Sequence, residues 1–319
     1  MPQPMDRKLA LEAVRVTEAA AIAASHQIGR GDERAADAAA VEAMREALNG
    51  LAIDGMVVIG EGERDEAPML YIGEHVGTGG VAVDIALDPL EGTTLTAKAL
   101  PNALTVIAIA EKGSLLNAPD TYMDKIAIGP GYPDGVIDLD ADPADNIAAL
   151  AKAKGVPPSE ITACVLDRPR HAAIIEAVRK AGGAVRLITD GDIAGVIATS
   201  DPVTGIDIYI GQGGAPEGVL AAAALRCVGG QIQARLVFRN DEERSRATRL
   251  GISDFNRKYK LTDLAGGDVA FAATGVTDGS MLEGVHRHGQ FVTTSSILMR
   301  SGTRTVRWVK ARHIRGHAP

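Results

Sequence analysis

The chain has 319 residues, of which 46% are hydrophobic and only 3% aromatic, and its formal net charge is −8. That length exceeds what one hydrophobic core usually spans, so two domains or two lobes are expected, and a core of Val, Ile, Leu and Ala suits an α/β protein. The acidity argues against a nucleic-acid backbone as partner, but leaves room for a small anionic substrate, because a bound metal reverses the local field.

From the N-terminus, Asp6 to Ser25 and Asp32 to Leu48 read as two helices separated by Gly-Arg-Gly. Glu12, Arg15 and Glu18 interrupt the apolar residues of the first, as in an amphipathic helix and unlike a secretory signal. No run approaches the roughly 20 apolar residues that span a bilayer, so a cytoplasmic protein with no membrane partner is expected. In the second helix Asp37 falls in line with Val41, Met44 and Leu48. A carboxylate on that apolar stripe is costly if unpaired. The alternative is that Asp37 lies in the first turn and complements the helix dipole.

A strand, "GMVVIGEG", leads directly into Glu61, which is flanked by Gly60 and Gly62. Glycines at a strand end let a backbone or ligand approach closely. Glu63, Asp65 and Glu66 follow, and the plain alternative is a solvated acidic loop. "GEGERD" lacks the third glycine of a dinucleotide fingerprint.

The next strand, "VAVDIALD", alternates so that Asp84 and Asp88 share a face. Pro89 is expected to end it, and Glu91 precedes a short helix opened by Gly92, Thr93 and Thr94. Carboxylates there suit a hard cation such as Mg²⁺ or Mn²⁺, and a helix N-terminus suits phosphate. An Asp-Pro turn with a threonine cap requires less than this.

After a further strand, "ALTVIAIAEKG", the Pro/Asp-rich stretch from Asp140 to Pro158 is the best boundary, giving lobes of 1–150 and 151–319. Strands "ITACVLD", "AVRLIT" and "GIDIYIG" then alternate with helices, as in a layered α/β lobe. The last of these helices begins at "GGAPEGV", where Glu217 either complements the dipole or supplies a further ligand. "VAFAATG" and "TRTVRWVK" add strands to the tail. Cys164 and Cys227 lack metal-ligand neighbours and read as buried thiols in a reducing compartment.

Seven stretches in order, "GRGDERAADAAAVEAMR", "DGMVVIGEGERDEAPMLYIGE", "VDIALDPLEGTT", "NAPDTYMDKIAIGPG", "RPRH", "DGD" and "GGAPEGV", resemble class II fructose-1,6-bisphosphatases. These belong to the wider group of lithium-sensitive, metal-dependent sugar and inositol phosphatases. The resemblance runs from about residue 6 to 310. It implies a two-lobed, layered α/β/α/β/α sandwich with the active site between the lobes. It implies that Asp37 and Glu61 bind one metal, Mn²⁺ or Mg²⁺, and that Asp88, Glu91 and Glu217 bind a second. Asp65 and Thr93 would orient and deprotonate the attacking water, and Glu91, Gly92 and Thr93 would line the scissile phosphate. Tyr122, Arg168, Pro169, Arg170, Asp190, Gly191, Asp192 and Gly214 would hold the sugar and its second phosphate. A homo-oligomer, dimer or tetramer, is expected from the family alone.

Several of these residues also have a plainer role. Arg168 and Arg170 offer a bidentate grip on phosphate, or form a solvent-facing basic turn spaced by Pro169. Asp192 can be a helix N-cap and Tyr122 a packed aromatic, and His171 is given no role. Glu91 stands where the wider group usually has Asp, and Arg168 where the family often has Lys. "GGAPEG" replaces the Trp-Asp motif of inositol phosphatases. The expected reaction is hydrolysis of fructose 1,6-bisphosphate in gluconeogenesis, with sedoheptulose 1,7-bisphosphate as a possible second substrate. The alternatives are an inositol-monophosphate or nucleotide-bisphosphate phosphatase, and a metal- and phosphate-binding module without turnover.

Overall fold

A computed structural model describes residues 7–62 and 69–314 of the chain. The chain forms two compact units, Met1–Leu116 with Gly266–Pro319, and Asn117–Ala265.

The first unit begins with helices α1 (Arg7–Ala24) and α2 (Glu33–Asn49). Strands β1 (Ile53–Ile59), β2 (His75–Val76) and β3 (Val81–Glu91), the short helix α3 (Thr93–Ala97) and strand β4 (Leu104–Glu111) follow. The chain then builds the whole second unit from β5 (Tyr122–Ile128), α4 (Pro143–Lys154), β6 (Thr162–Leu166), α5 (Ala172–Lys180), β7 (Ala184–Ile188), α6 (Asp192–Ala198), β8 (Ile208–Gly214), α7 (Ala215–Val228), β9 (Gln231–Val237), α8 (Asp241–Arg249), β10 (Tyr259–Lys260) and α9 (Leu261–Leu264). It returns to the first unit as β11 (Val269–Gly275), β12 (His286–His288), β13 (Phe291–Arg300) and β14 (Thr305–Ile314).

The first unit's sheet has the order β12-β13-β11-β4-β3-β1-β2, with β14 on the other side of β13. Only β1 and β3 pair in parallel; β3–β4, β4–β11 and β11–β13 are antiparallel. Helix α1 packs on this sheet and α2 packs beside it, so that Ala13, Met44 and Leu48 are buried with Ile53, Ile85, Leu87 and Ile107. Removing so much aliphatic area from water is the main stabilising contribution, roughly 25 cal/mol per Å².

The second unit's sheet has the order β10-β9-β5-β8-β6-β7. Helix α4 buries Ile147 and Leu150 against Ile126, Ile128, Ile161, Val165 and Ile208, with Val178 of α5 in the same cluster. Helix α7 covers the face carrying Met123 and Lys125: a Cβ at Gly218 would come within 3.2 Å of Lys125 Cδ. The molecule is thus an α/β fold of mixed sheets flanked by helices, consistent with a layered α/β sandwich.

The structure departs from the sequence reading at two places. The stretch from Asp140 to Pro158 lies inside the second unit rather than between lobes of 1–150 and 151–319. Its turn-forming residues cap α4, where the Asp142 carboxylate accepts from Ala144 N at 2.8 Å. Composition marks a turn there, whereas the return of β11–β14 to the first sheet is a long-range event that no local stretch announces. The second departure is Pro89, which does not end β3. The strand continues to Glu91 through a register shift against β4, where Asp88 pairs with Val106 and Glu91 with Leu104. A bulge tolerates a proline because the extra residue leaves a ladder position unpaired.

Candidate active site

In the first unit the fold brings the carbonyl end of β3, the start of α3 and the N-terminal half of α2 together. Asp32 caps α2 by accepting from Ala35 N at 2.9 Å. Asp37 is therefore in the second turn rather than the first, half-buried on the helix. Burial pushes its carboxyl above the ordinary range. Thr94 of α3 donates to Glu33 of α2 at 2.8 Å, and the turn before α2 is tied to α3 by Gly29 N and Gly31 N, which donate to Thr96 O and Ala97 O at 2.9 Å each.

Asp88 accepts from Leu90 N at 3.0 Å, which fixes the bulge. Glu91, the last residue of β3, is buried. Gly92 follows at φ 89°, a left-handed conformation that a side chain would strain, and Thr93 begins α3. Asp84, on the same face of β3 as Asp88, has a structural task instead. Its Oδ2 accepts from Ser114 N at 3.0 Å and Leu115 N at 3.3 Å, closing the turn after β4. Glu61 follows β1 through Gly60, and Glu61 N donates to Leu70 O at 3.0 Å. A Cβ at Gly60 would overlap Leu70 O, so only glycine lets the two segments approach. Asp65 lies outside the described residues.

In the second unit the remaining candidates cluster around β5 and β8. Tyr122 opens β5, in register with Gly214 of β8 on one side and Val237 of β9 on the other. Two guanidiniums lie over its ring, those of Arg170 and Arg239, each with Cζ 5.0 Å from the ring centroid. Arg170 is held to the end of β8 by Nη2, which donates to Gln212 O at 2.8 Å. Arg168 donates to Asp167 O at 3.0 Å. Neither Arg168 nor Arg170 has a carboxylate partner among the described residues. Pro169 begins the 3₁₀ turn between them and is exposed.

His171, given no role from sequence, secures this turn. It is buried, with Nδ1 2.8 Å from Leu166 O and Nε2 2.8 Å from Gln212 N. A carbonyl requires Nδ1–H and a backbone N–H requires a lone pair on Nε2, so the ring is neutral. Burial accordingly lowers its pKa.

Asp190 accepts from Gly191 N at 3.1 Å, and Gly191, at φ 82°, is the cap of α6. Asp192 is thus not the N-cap. Its carboxylate turns inward and pairs with Lys125, which also donates to Gly214 O at 2.9 Å. Lys125 is 1% exposed and is the residue that sequence reasoning missed. Its signal was the alternation of "YMDKIAI", which places a lysine on the face of Met123 and Ala127.

A Cβ at Gly213 would overlap Asp192 Oδ2, and one at Gly214 would overlap Glu217 Oε2. The glycines of "GQGGAPEG" therefore make room for two carboxylates. Glu217 lies in the first turn of α7, half-buried, with Oε2 fully buried and without a hydrogen-bond partner. Burial, then the charge of Asp192, raise its pKa to about 7, against the opposing pull of Lys125. Among the described residues no three His, Cys, Asp or Glu side chains converge closely enough to hold a metal ion.

The two units define a class: an α/β protein with carboxylates at the end of one sheet and uncompensated arginines beside the other. The family model described as bacterial fructose-1,6-bisphosphatase, glpX-encoded, matches residues 7–313. The chain belongs to that family. It is 48% identical over 324 aligned residues to "Fructose-1,6-bisphosphatase 1 class 2" of Escherichia coli strain K12, covering 97% of this chain and 96% of the relative. The same identity and coverage hold for "Fructose-1,6-bisphosphatase class 2" of Escherichia coli O6:H1 and of Shigella flexneri.

The Lys125–Asp192 pair makes a direct test of this site's packing. Lys125→Met leaves Asp192 buried without its partner, and a loss of about 3–5 kcal/mol in unfolding free energy is expected. The double variant Lys125→Met/Asp192→Leu should lose less than the single one. Denaturant titration of both variants checks the order.

Proposed function

We propose that this chain hydrolyses the 1-phosphate of fructose 1,6-bisphosphate to give fructose 6-phosphate and phosphate, as a step of gluconeogenesis in the cytoplasm. The observation that carries this reading is the likeness to class 2 fructose-1,6-bisphosphatases across 97% of the chain. The arginines of the "RPR" turn support it, because two cations without carboxylate partners suit a substrate with a phosphate remote from the reacting one.

The reaction is metal-dependent, with Mn²⁺ or Mg²⁺ as the ion. Two of the candidate ligands have the chemistry that such a cation needs. Asp37 has its carboxyl raised by burial, and Glu217 keeps a buried oxygen without a protein partner. Both are hard oxygen donors whose ionised form a divalent ion would stabilise. Asp37 and Glu61 would hold one ion, and Asp88, Glu91 and Glu217 would hold a second once drawn together around it, since no three carboxylates among the described residues converge without it. When bound, the metal screens the phosphoryl oxygens and the leaving alkoxide.

The chain's own residues do the rest. Asp65 and Thr93 orient the attacking water and take its proton. Glu91, Gly92 and Thr93 line the reacting phosphate, with Gly92 keeping the chain in the left-handed turn that starts α3. Tyr122, Arg168, Pro169, Arg170, Asp190, Gly191, Asp192 and Gly214 hold the sugar and its second phosphate. Lys125 ties two of these together, donating to both Asp192 and Gly214 O. A homo-oligomer, dimer or tetramer, completes the proposal.

The test is phosphate release by the full chain with Mg²⁺, with Mn²⁺ and with chelator, from fructose 1,6-bisphosphate, sedoheptulose 1,7-bisphosphate and inositol monophosphate. Metal-dependent release from a sugar bisphosphate and not from inositol monophosphate is expected. Release from inositol monophosphate alone would contradict the assignment. Arg170→Ala should raise KM about tenfold or more with a smaller change in kcat, since a contact to the remote phosphate is lost in ground and transition states alike. A fall in kcat alone would displace Arg170 from that role.

A further inference from the structure

Arg239 has no part in the roles above, yet its placement mirrors that of Arg170. β5 lies between β8 and β9, and Tyr122 is in register with a residue of each. Arg170 reaches Tyr122 from the β8 side, where it holds Gln212 O. Arg239 reaches it from the β9 side, two residues past Val237. Both Cζ atoms are 5.0 Å from the same ring centroid, so the two cations lie within twice that distance of each other.

Two guanidiniums brought this close repel one another unless something fixes them. Arg239 is fixed by Glu243, which is buried at the start of α8. Arg239 Nε donates to Glu243 Oε1 at 2.6 Å, and its backbone N donates to Oε2 at 2.7 Å. Thr121, the neighbour of Tyr122, donates to the same Oε2 at 2.9 Å. Although burial opposes ionisation of Glu243, these donors hold its pKa below the ordinary value. The carboxylate is therefore an anchor, tying Arg239 to the residue before Tyr122. Nε and Nη2 face Glu243, while Nη1 has no protein partner among the described residues and the side chain is 57% exposed. Arg170 is built the same way: Nε and Nη2 face Gln212 O and Nη1 is left over.

We infer that Arg239 is a specificity-determining residue, which with Arg170 clamps the phosphate of the substrate remote from the reacting one, across the Tyr122 ring. The inference rests on the sugar-bisphosphate reading. With one arginine balanced by Glu243 and the other uncompensated, the pair keeps a net positive charge that a phosphate dianion satisfies through a planar N–H of each.

The experiment compares the wild-type chain with Arg239→Ala and Arg239→Lys, using fructose 1,6-bisphosphate and fructose 1-phosphate, which lacks the remote phosphate. For Arg239→Ala the ratio of kcat/KM for the bisphosphate over the monophosphate should fall about tenfold, mostly through KM. Arg239→Lys should recover part of it, since the charge returns without the planar fork. Fructose 6-phosphate binding, followed by calorimetry, should weaken by a similar factor in Arg239→Ala, which gives a readout independent of turnover. An equal loss on both substrates would show that Arg239 only packs against Tyr122, and would overturn the inference, as would an unchanged ratio with unchanged fructose 6-phosphate binding. A wild-type chain that releases no phosphate from the bisphosphate would overturn the functional reading, and the inference with it.

Discussion

Carboxylates held out of water govern both units of this protein. A buried carboxylate either finds a partner, gives up its charge or waits for a cation. The structure holds carboxylates with partners and carboxylates whose pKa burial raises. Asp84 is satisfied by the backbone N–H groups of Ser114 and Leu115. Asp192 is satisfied by Lys125 and Glu243 by Arg239 and Thr121. Asp37, Glu217 and Glu18 differ, with carboxyls that burial pushes above their ordinary pKa; Glu18 accepts from Thr294 at 3.0 Å, whereas Oε2 of Glu217 has no protein partner. Buried charge with a full set of partners is architecture, and a buried carboxylate oxygen without a protein partner, as at Glu217, is a place a cation would suit.

The scaffolding follows from this constraint. Glycine appears where a side chain would fill the space a carboxylate needs, at Gly213 beside Asp192 and at Gly214 beside Glu217. Lys125 supports the same turn from below, because it donates to Gly214 O as well as to Asp192. His171 holds the arginine-bearing turn by bonding Leu166 O with one nitrogen and Gln212 N with the other. Neither residue needs to touch substrate to matter. Each fixes the backbone that carries the groups that would.

Much of this was legible in the sequence, and the reasons are physical. The periodicity of α2 placed Asp37 on its apolar stripe, and the structure starts that helix at Glu33, which moves Asp37 out of the first turn. Gly92 before two threonines marked the start of α3. The strand–helix alternation after Pro158 matched β6 to α7. What local pattern could not supply was partnership. Lys125 looks like a flaw in an apolar strand until Asp192, far along the chain, is placed beside it. Arg239 carries no local signal, because its partners Tyr122 and Glu243 meet it only in the folded chain. Pro89 looked like a strand end because the bulge that admits it depends on β4. The division into units was hidden for the same reason, since β11–β14 complete a sheet begun more than a hundred residues earlier.

The most direct measurement is the affinity of the metal-free full chain for Mn²⁺, by calorimetry, in wild type and Glu217→Gln. Glutamine keeps the shape and removes the charge. If the buried oxygen of Glu217 is held for a cation, the substitution should weaken Mn²⁺ binding by about tenfold or more while the fold stays intact by circular dichroism. An unchanged affinity would mean that this carboxylate is buried for some other purpose, and that the proton it keeps near neutral pH has no metal to replace it.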